Sequence, residues 1–270
     1  MRKITQDHLG AGRPAEATAT KSPLRYPGGK SRAVSSILPW IPADAKSICS
    51  PFMGGGSVEI AMAARGFTVR GYDLFEPVAN FWMQTLLDAS AVADGAQRYL
   101  PLGREEFYEL QRTTSFRSPV EGATAYFVLN RSSFSGTTMS GGFSGTRFNA
   151  ASVERLRNFR APNLMVACAN WRESLDANAS AFAFIDPPYP IRSGLYGDRG
   201  NLQHFDHEAL RDALRCRGSW LVTYNDCLLV RELYRDFRMV PLQWSYGMSR
   251  DKRGRELLIV ADDVQEPVSA

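Results

Sequence analysis

The sequence predicts an α/β fold with a mostly parallel sheet and one insertion, on three observations. Ala181-Phe182-Ala183-Phe184-Ile185 is a continuous apolar run ended by Asp186-Pro187-Pro188-Tyr189, which reads as a strand buried on both faces. From Ser47 to Asp73, a short strand, a glycine loop, a helix and a second strand ending in an acid follow one another, the plan of a nucleoside-binding βαβ unit. The alternation lapses over residues 90–160 and returns at Leu164.

The 270 residues are enough for one large α/β domain carrying an insertion. Residues 1–20 hold charges but no apolar segment and are expected to be a flexible leader rather than a secretory signal. Residues 21–89 and 161–262 then form the main domain, 90–160 the insertion, and 263–270 a flexible tail. No apolar run nears the roughly 20 residues that span a bilayer, so no membrane partner is expected. The four cysteines are scattered without a CxxC pair, and the histidines are only His8, His204 and His207. That speaks against structural zinc and a disulfide framework and for a reducing, cytoplasmic setting. The net charge of +4 permits nucleic acid without requiring it. The distribution is more informative: from Gly122 to Arg160 there are five arginines, one acid and no lysine.

Leu24-Arg25-Tyr26-Pro27-Gly28-Gly29-Lys30-Ser31 is the first informative stretch. Its glycines allow a tight turn, and Lys30 starts an expected helix ending at Pro39. Gly-Lys-Ser suggests half of a P-loop, but Leu24 stands where that motif needs glycine and no strand precedes it. Ser47–Ser50 is a strand entering Pro51-Phe52-Met53-Gly54-Gly55-Gly56-Ser57, and Ser57 is the expected cap of the helix that follows. Phe67–Tyr72 is the next strand and delivers Asp73, whose carboxylate can accept from two ribose hydroxyls. The loop is not GxGxxG, which favours a nucleoside without a diphosphate.

A helix is expected from Glu76 to about Ala89, with Phe81 and Trp82 in the core. Arg104–Arg112 is a short polar helix. Ser118-Pro119-Val120-Glu121 is a capping box that starts a helix running to Asn130-Arg131. Ser132–Asn149 is rich in Ser, Thr and Gly and carries Phe134, Phe143, Phe148 and Arg147. Such a loop suits backbone approach to a duplex, phosphate contacts and a wedge between bases. A helix follows from Val153 to Phe159. Leu164–Cys168 is a strand, and Asn170-Trp171 beyond it could hold an adenine ring by an edge hydrogen bond and stacking. Past Asp186, a polar loop carries Tyr196 and Arg199. Asp206 caps a helix, Ser219–Tyr224 is a strand, a helix lies near Leu228–Arg235, and two strands lie around Val240–Tyr246 and Glu256–Ala261. The basic stretch from Arg250 to Arg255 is a hairpin tip between them. His204 and His207 read as solvated.

At the end of the apolar strand, Asp186 and the Pro187 carbonyl are two fixed acceptors beside the flat face of Tyr189. They suit a planar base bearing an exocyclic amine. With these segments in hand, the sequence resembles the Dam-like (D12 class) family of DNA adenine-N6 methyltransferases, in order from about Leu24 to Val260. Leu-Arg-Tyr-Pro-Gly-Gly-Lys is similar to the family's amino-terminal cofactor motif, with Tyr26 and Lys30. Pro51-Phe52-Met53-Gly54-Gly55-Gly56 resembles its glycine loop and Asp73 its ribose-binding acid. Leu129–Gly136 resembles the start of its DNA-recognition segment, and Asp186-Pro187-Pro188-Tyr189 its catalytic motif. Asn170 departs from the pattern, since many relatives carry an acid there.

The resemblance implies a Rossmann-like methyltransferase fold, with a late antiparallel strand and an inserted, mainly helical DNA-recognition domain. It implies S-adenosylmethionine as cofactor and a flipped adenine as acceptor, with Asp186, Pro187, Pro188 and Tyr189 catalytic. Tyr26, Lys30, Pro51, Phe52, Gly54, Gly56, Asp73, Asn170, Trp171 and Asp186 would bind the cofactor. Lys30, Asn130, Arg131, Phe134 and Arg147 would contact double-stranded DNA. It implies no metal, a monomer, and a restriction enzyme as a candidate partner. Cytosine N4, RNA, or a catalytically inactive DNA reader are the alternatives left open.

Overall fold

A computed structural model describes residues 21–190, 205–242 and 256–267. The expected leader, His8, the Tyr196 and Arg199 loop, His204, and the tip from Arg250 to Arg255 lie outside the described residues. One seven-stranded sheet organises the chain, in the order β3-β2-β1-β4-β5-β7-β6. Its strands are β1 (Ser47–Ser50), β2 (Thr68–Asp73), β3 (Leu164–Cys168), β4 (Phe182–Ile185), β5 (Trp220–Asn225), β6 (Arg238–Leu242) and β7 (Glu256–Val260). Strands β1 to β5 pair in parallel, while β7 runs antiparallel between β5 and β6. This is the Rossmann-like methyltransferase arrangement that the resemblance implies, late antiparallel strand included. β4 is buried at all four positions, as its uninterrupted apolar run requires.

Helices α1 (Val34–Ile37), α2 (Ser57–Ala64), α3 (Glu76–Gln97), α4 (Arg104–Arg112), α5 (Pro119–Ser132), α6 (Ala150–Arg157), α7 (Trp171–Ala177), α8 (His207–Arg215) and α9 (Leu228–Leu233) complete the fold. The helix expected after Lys30 shortens to one turn before a 3-10 turn at Leu38–Trp40, because Pro39 can donate no helical hydrogen bond. The cap of α2 is Gly56 rather than Ser57; its φ of 65° is a left-handed conformation suited to glycine.

Helix α3 outruns its expected end, and Asp88 explains both lengths. Its φ of −152° breaks the helix, and its Oδ1 accepts from Ala91 N at 3.0 Å, capping the second half. The start of α5 keeps half of the expected box. Ser118 accepts from Glu121 N, but the Glu121 carboxylate turns to Arg117, whose backbone N–H donates at 2.7 Å. Helix α7 was not read from the sequence, although Asn170 and Glu173 form a reciprocal capping box.

The helices of residues 90–160 share their core with the sheet's helices. Phe81 of α3 stacks on Phe127 of α5 at 6.1 Å, and Trp82 packs against Phe159 at 5.7 Å. A Cβ on Gly95 would sit 2.5 Å from Thr124 Oγ1, so glycine lets α3 and α5 close up. The expected tail starts late: Val264 is buried, and Asp263 accepts from Ser219 N at 2.9 Å.

Candidate active site

Strand order reverses direction between β1 and β4, and ligands of open α/β sheets bind at the carboxyl ends of strands at such a point. Two loops leave the sheet there: Pro51–Gly56 from β1 and Asp186–Tyr189 from β4. With the Tyr26–Lys30 turn they enclose a cavity of about 890 Å³. Every residue expected to bind cofactor or act in catalysis lines it, from Tyr26 and Lys30 to Asn170, Trp171 and Tyr189.

The chemistry centres on Asp186. Lys30 Nζ lies 2.8 Å from its Oδ1 and donates to its Oδ2 at 2.9 Å, while Thr223 Oγ1 on β5 donates to Oδ1 at 2.6 Å. Lys30 also donates to the Gly28 carbonyl at 2.8 Å, stands 3.7 Å from Glu256, and lies 4.8 Å from the centre of the Tyr189 ring. Tyr189 Oη approaches Asp186 Oδ1 at 3.5 Å. The carboxylate is thus held from two sides, with Tyr189 alongside. Burial pushes the Glu256 carboxyl up, opposed by Lys30.

On the β1 side, packing dictates the glycines. A Cβ on Gly55 would lie 2.6 Å from Tyr26 Cβ, and one on Gly54 would lie 2.9 Å from the same ring. Tyr26 therefore seats on the loop backbone. Trp82 Nε1 donates to the Gly54 carbonyl at 2.9 Å and anchors the loop from α3. Asp73, at the end of β2, accepts from Gly54 N and Phe75 N at 2.9 Å each. Burial pushes its carboxyl up to about 6, against the pull of those two bonds. A carboxylate has about four acceptor sites, so both oxygens retain capacity for a ligand. Beyond β3, Asn170 Oδ1 caps α7 by accepting from Glu173 N at 3.0 Å. The Arg172 guanidinium lies 4.3 Å from the centre of the Trp171 ring, and the Phe205 ring lies 6.4 Å from it. Phe205, which the sequence reading passed over, extends this wall by an edge contact to Phe52 at 5.5 Å.

A glycine loop at a switch point, a recessed acid on the next strand and an anchored Asp-Pro-Pro-Tyr share one cavity. The family model for D12 class N6 adenine-specific DNA methyltransferases matches residues 26–248, which span that cavity. The chain belongs to that family. Among curated proteins none matches it.

In this D12-class methyltransferase, the residues expected to meet DNA divide by exposure. Phe134 is 71% exposed, on a 3-10 turn pinned by a bridge between Ser133 and Phe143. Phe143 instead packs on Phe107 at 5.4 Å, and Phe148 is buried against Phe127. Arg147 is exposed. Asn130 is fully buried, its side chain accepting from Arg25 N at 2.8 Å and donating to Arg25 O at 2.7 Å. It clamps α5 to the segment that enters the Tyr26 turn, and these bonds occupy its amide. Arg131 is also buried, donating to Arg147 O at 3.1 Å. Among the described residues it pairs with no acid; burial, then Arg155, Arg25 and Arg147, bring its guanidinium down to about 10.

Sequence reasoning missed Glu59 and Thr223. Each is a lone polar residue in an apolar stretch, Val58-Glu59-Ile60 and Leu221-Val222-Thr223-Tyr224, and that contrast was the available signal. His207 is not solvated: its Nδ1 is 2.7 Å from Tyr224 Oη, and burial holds its pKa below the usual value. Among the described residues no helix is long and apolar enough to cross a membrane, and no cluster of three His, Cys, Asp or Glu could hold a metal.

Proposed function

We propose that this methyltransferase transfers a methyl group from S-adenosylmethionine to the N6 amine of an adenine flipped out of double-stranded DNA. The observation that carries the proposal is the Asp186 carboxylate, anchored by Lys30 and Thr223 in the cavity that also holds Asp73 and the glycine loop. The residues present fit the cofactor. Asp73 has acceptor capacity for ribose hydroxyls, Trp171 puts an indole in the cavity wall for adenine, and the Asn170 amide nitrogen offers an edge contact. When bound, S-adenosylmethionine supplies an electrophilic methyl on a sulfonium.

Asp186 and the Pro187 carbonyl then accept hydrogen bonds from the two amino hydrogens and draw the nitrogen lone pair out of conjugation with the ring. As the nitrogen gains the methyl group and a neutral thioether departs, one amino proton is lost by way of the Asp186 carboxylate. Tyr189 stacks on the base. Placement next to the methyl donor, in a site fixed before the base arrives, supplies most of the rate. Thr223 serves as a positioning residue. Thr223→Val, which removes the hydroxyl at nearly constant volume, is expected to lower the single-turnover rate about tenfold, the loss of one hydrogen bond to a charged group. DNA affinity should hold and Thr223→Ser should restore the rate. An unchanged rate in Thr223→Val would exclude the role.

Residues 90–160 form the recognition segment in this reading. Phe134 is its one exposed phenylalanine on the 132–149 loop and serves as a wedge that fills the stack when the base leaves. Phe134→Ala is expected to reduce the fluorescence rise of 2-aminopurine at the target position several-fold, with the thermal melt unchanged. Equal fluorescence would remove the wedge. Arg147 and Arg155, exposed beside the buried Arg131, would take phosphates.

Asp73 makes nucleoside binding depend on pH. Its carboxyl, raised to about 6, loses its charge as pH falls through that value, and a ribose hydroxyl then meets a weaker acceptor. Affinity for the neutral nucleoside 5′-methylthioadenosine should therefore drop below pH 6, by at most about tenfold per unit. Asp73→Asn should flatten that slope; a slope surviving in the variant would place its origin elsewhere.

The deciding experiment is labelled S-adenosylmethionine with unmethylated DNA, followed by nucleoside analysis and single-molecule mapping. N6-methyladenine at one short motif is the expected result. N4-methylcytosine would move the target base, label in RNA the substrate, and cofactor binding without transfer would overturn catalysis.

A further inference from the structure

We propose that Glu59 is the anionic contact for a cationic group of the methyl donor, its sulfonium or its α-ammonium; this inference rests on the function proposed above. Glu59 lies in the first turn of α2, is 3% exposed, and yet lines the cavity. Its neighbours along the helix, Val58, Ile60 and Met62, are buried and apolar. An acid in such a setting carries a desolvation cost that a helix does not need. Ser50, at the end of β1, donates to its Oε1 at 2.7 Å and fixes the carboxyl beneath the glycine loop.

No cation among the described residues forms an ion pair with Glu59. The charged groups that act on it are Lys30 and Asp186, and Lys30 is already engaged by Asp186 and the Gly28 carbonyl. Burial pushes the Glu59 carboxyl up to about 7 and Asp186 pushes the same way, while the Ser50 bond and Lys30 oppose them. The acids of the cavity thereby divide the ligand. Asp73 faces the ribose, Asp186 the acceptor amine, and Asp206 caps α8 by accepting from Ala209 N at 2.8 Å, which leaves Glu59 for positive charge. A cation arriving at Glu59 draws it into the ionised form, so binding releases a proton near neutral pH. Affinity for a cationic ligand should then rise from pH 6 to 8.

Calorimetry with three ligands tests this: S-adenosylmethionine, S-adenosylhomocysteine, which lacks the sulfonium, and 5′-methylthioadenosine, which lacks both cations. All three carry the ribose that Asp73 meets, so its contribution is common to them, and the change each ligand shows on substituting Glu59 isolates that residue. Glu59→Gln is expected to weaken S-adenosylmethionine about tenfold at pH 8 and to abolish its proton release, with 5′-methylthioadenosine unchanged. If S-adenosylhomocysteine weakens equally, the cation is the ammonium; if it holds, the cation is the sulfonium. A variant that loses all three ligands alike, or none, would overturn the inference and leave the methyltransferase reading standing. Wild-type protein that binds none of the three would overturn both. Should Glu59→Gln fail to fold, the wild-type comparison decides: a rise in affinity from pH 6 to 8 that is clearly steeper for S-adenosylmethionine than the small Asp73-linked rise for 5′-methylthioadenosine supports the inference, and parallel profiles overturn it.

Discussion

Asp186→Ala is expected to lower the single-turnover rate of methyl transfer by about a hundred- to a thousandfold, the scale set by removing a preorganised polar group from an enzyme site. The loss should fall on the chemical step. The wild-type carboxylate is held by Thr223 at 2.6 Å and by Lys30 on both oxygens, so it meets the incoming amine without reorganisation. DNA affinity, which the proposed phosphate contacts at Arg147 and Arg155 would carry, should survive. The substitution also leaves Lys30, 4% exposed at its side chain, without its nearest carboxylate. The Gly28 carbonyl at 2.8 Å and Glu256 at 3.7 Å remain, so the folding cost should stay at or below about 3 kcal/mol. Single-turnover transfer and DNA anisotropy on the same sample separate the two effects. Transfer near the wild-type rate would end the assignment of Asp186.

Gly56→Ala should carry a stability loss of about 2–4 kcal/mol. Two costs add. The residue sits at φ 65°, where an L side chain costs roughly 1–2 kcal/mol, and the new methyl overpacks a filled space, at about 1–3 kcal/mol. Its Cβ would lie 2.6 Å from Met53 Cε and 2.9 Å from Trp82 Cζ2. The methionine end can swing away. The indole cannot, because Trp82 is fully buried and its Nε1 holds the Gly54 carbonyl. The strain thus passes into the loop expected to carry the cofactor, and nucleoside affinity should fall with stability. Gly28→Ala is the matched control: φ is 75°, but its Cβ would meet nothing within 4 Å, so only about 1–2 kcal/mol is expected. Urea midpoints that coincide for the two variants would show that packing on Trp82 does not matter.

The parts of this protein legible in the sequence are those decided by short-range chemistry. The bounds of β1 and β3 were read to the residue, and β4 to within one, because brief apolar runs meet breakers at their ends. The glycine loop, Asp73 and Asp186-Pro187-Pro188-Tyr189 were recognisable from residue type and order alone. Local signals also have limits. The helix from Glu76 was expected to end near Ala89, but the Asp88 side chain caps a second half by accepting from Ala91 N. The Asn170-Glu173 box went unread because Asn170 also suited a ligand contact.

Burial was the quantity that one dimension could not supply. Asn130 and Arg131 look like nucleic-acid contacts in a basic, glycine-bearing segment, but Asn130 spends its amide on the backbone of Arg25, 105 residues earlier. Glu59 and Thr223 look incidental until folding sets one in the cavity wall and the other against Asp186. The pairing of Lys30 with Asp186 spans 156 residues. The sequence by itself determined the strand that carries the Asp-Pro-Pro-Tyr segment, the loop beside it and the family, since propensity, breakers and motif order act within a few residues. Only the tertiary structure decided which polar groups are turned inward and which acid meets which cation. Desolvation and ion pairing depend on what packs around a group, and those neighbours come from distant parts of the chain.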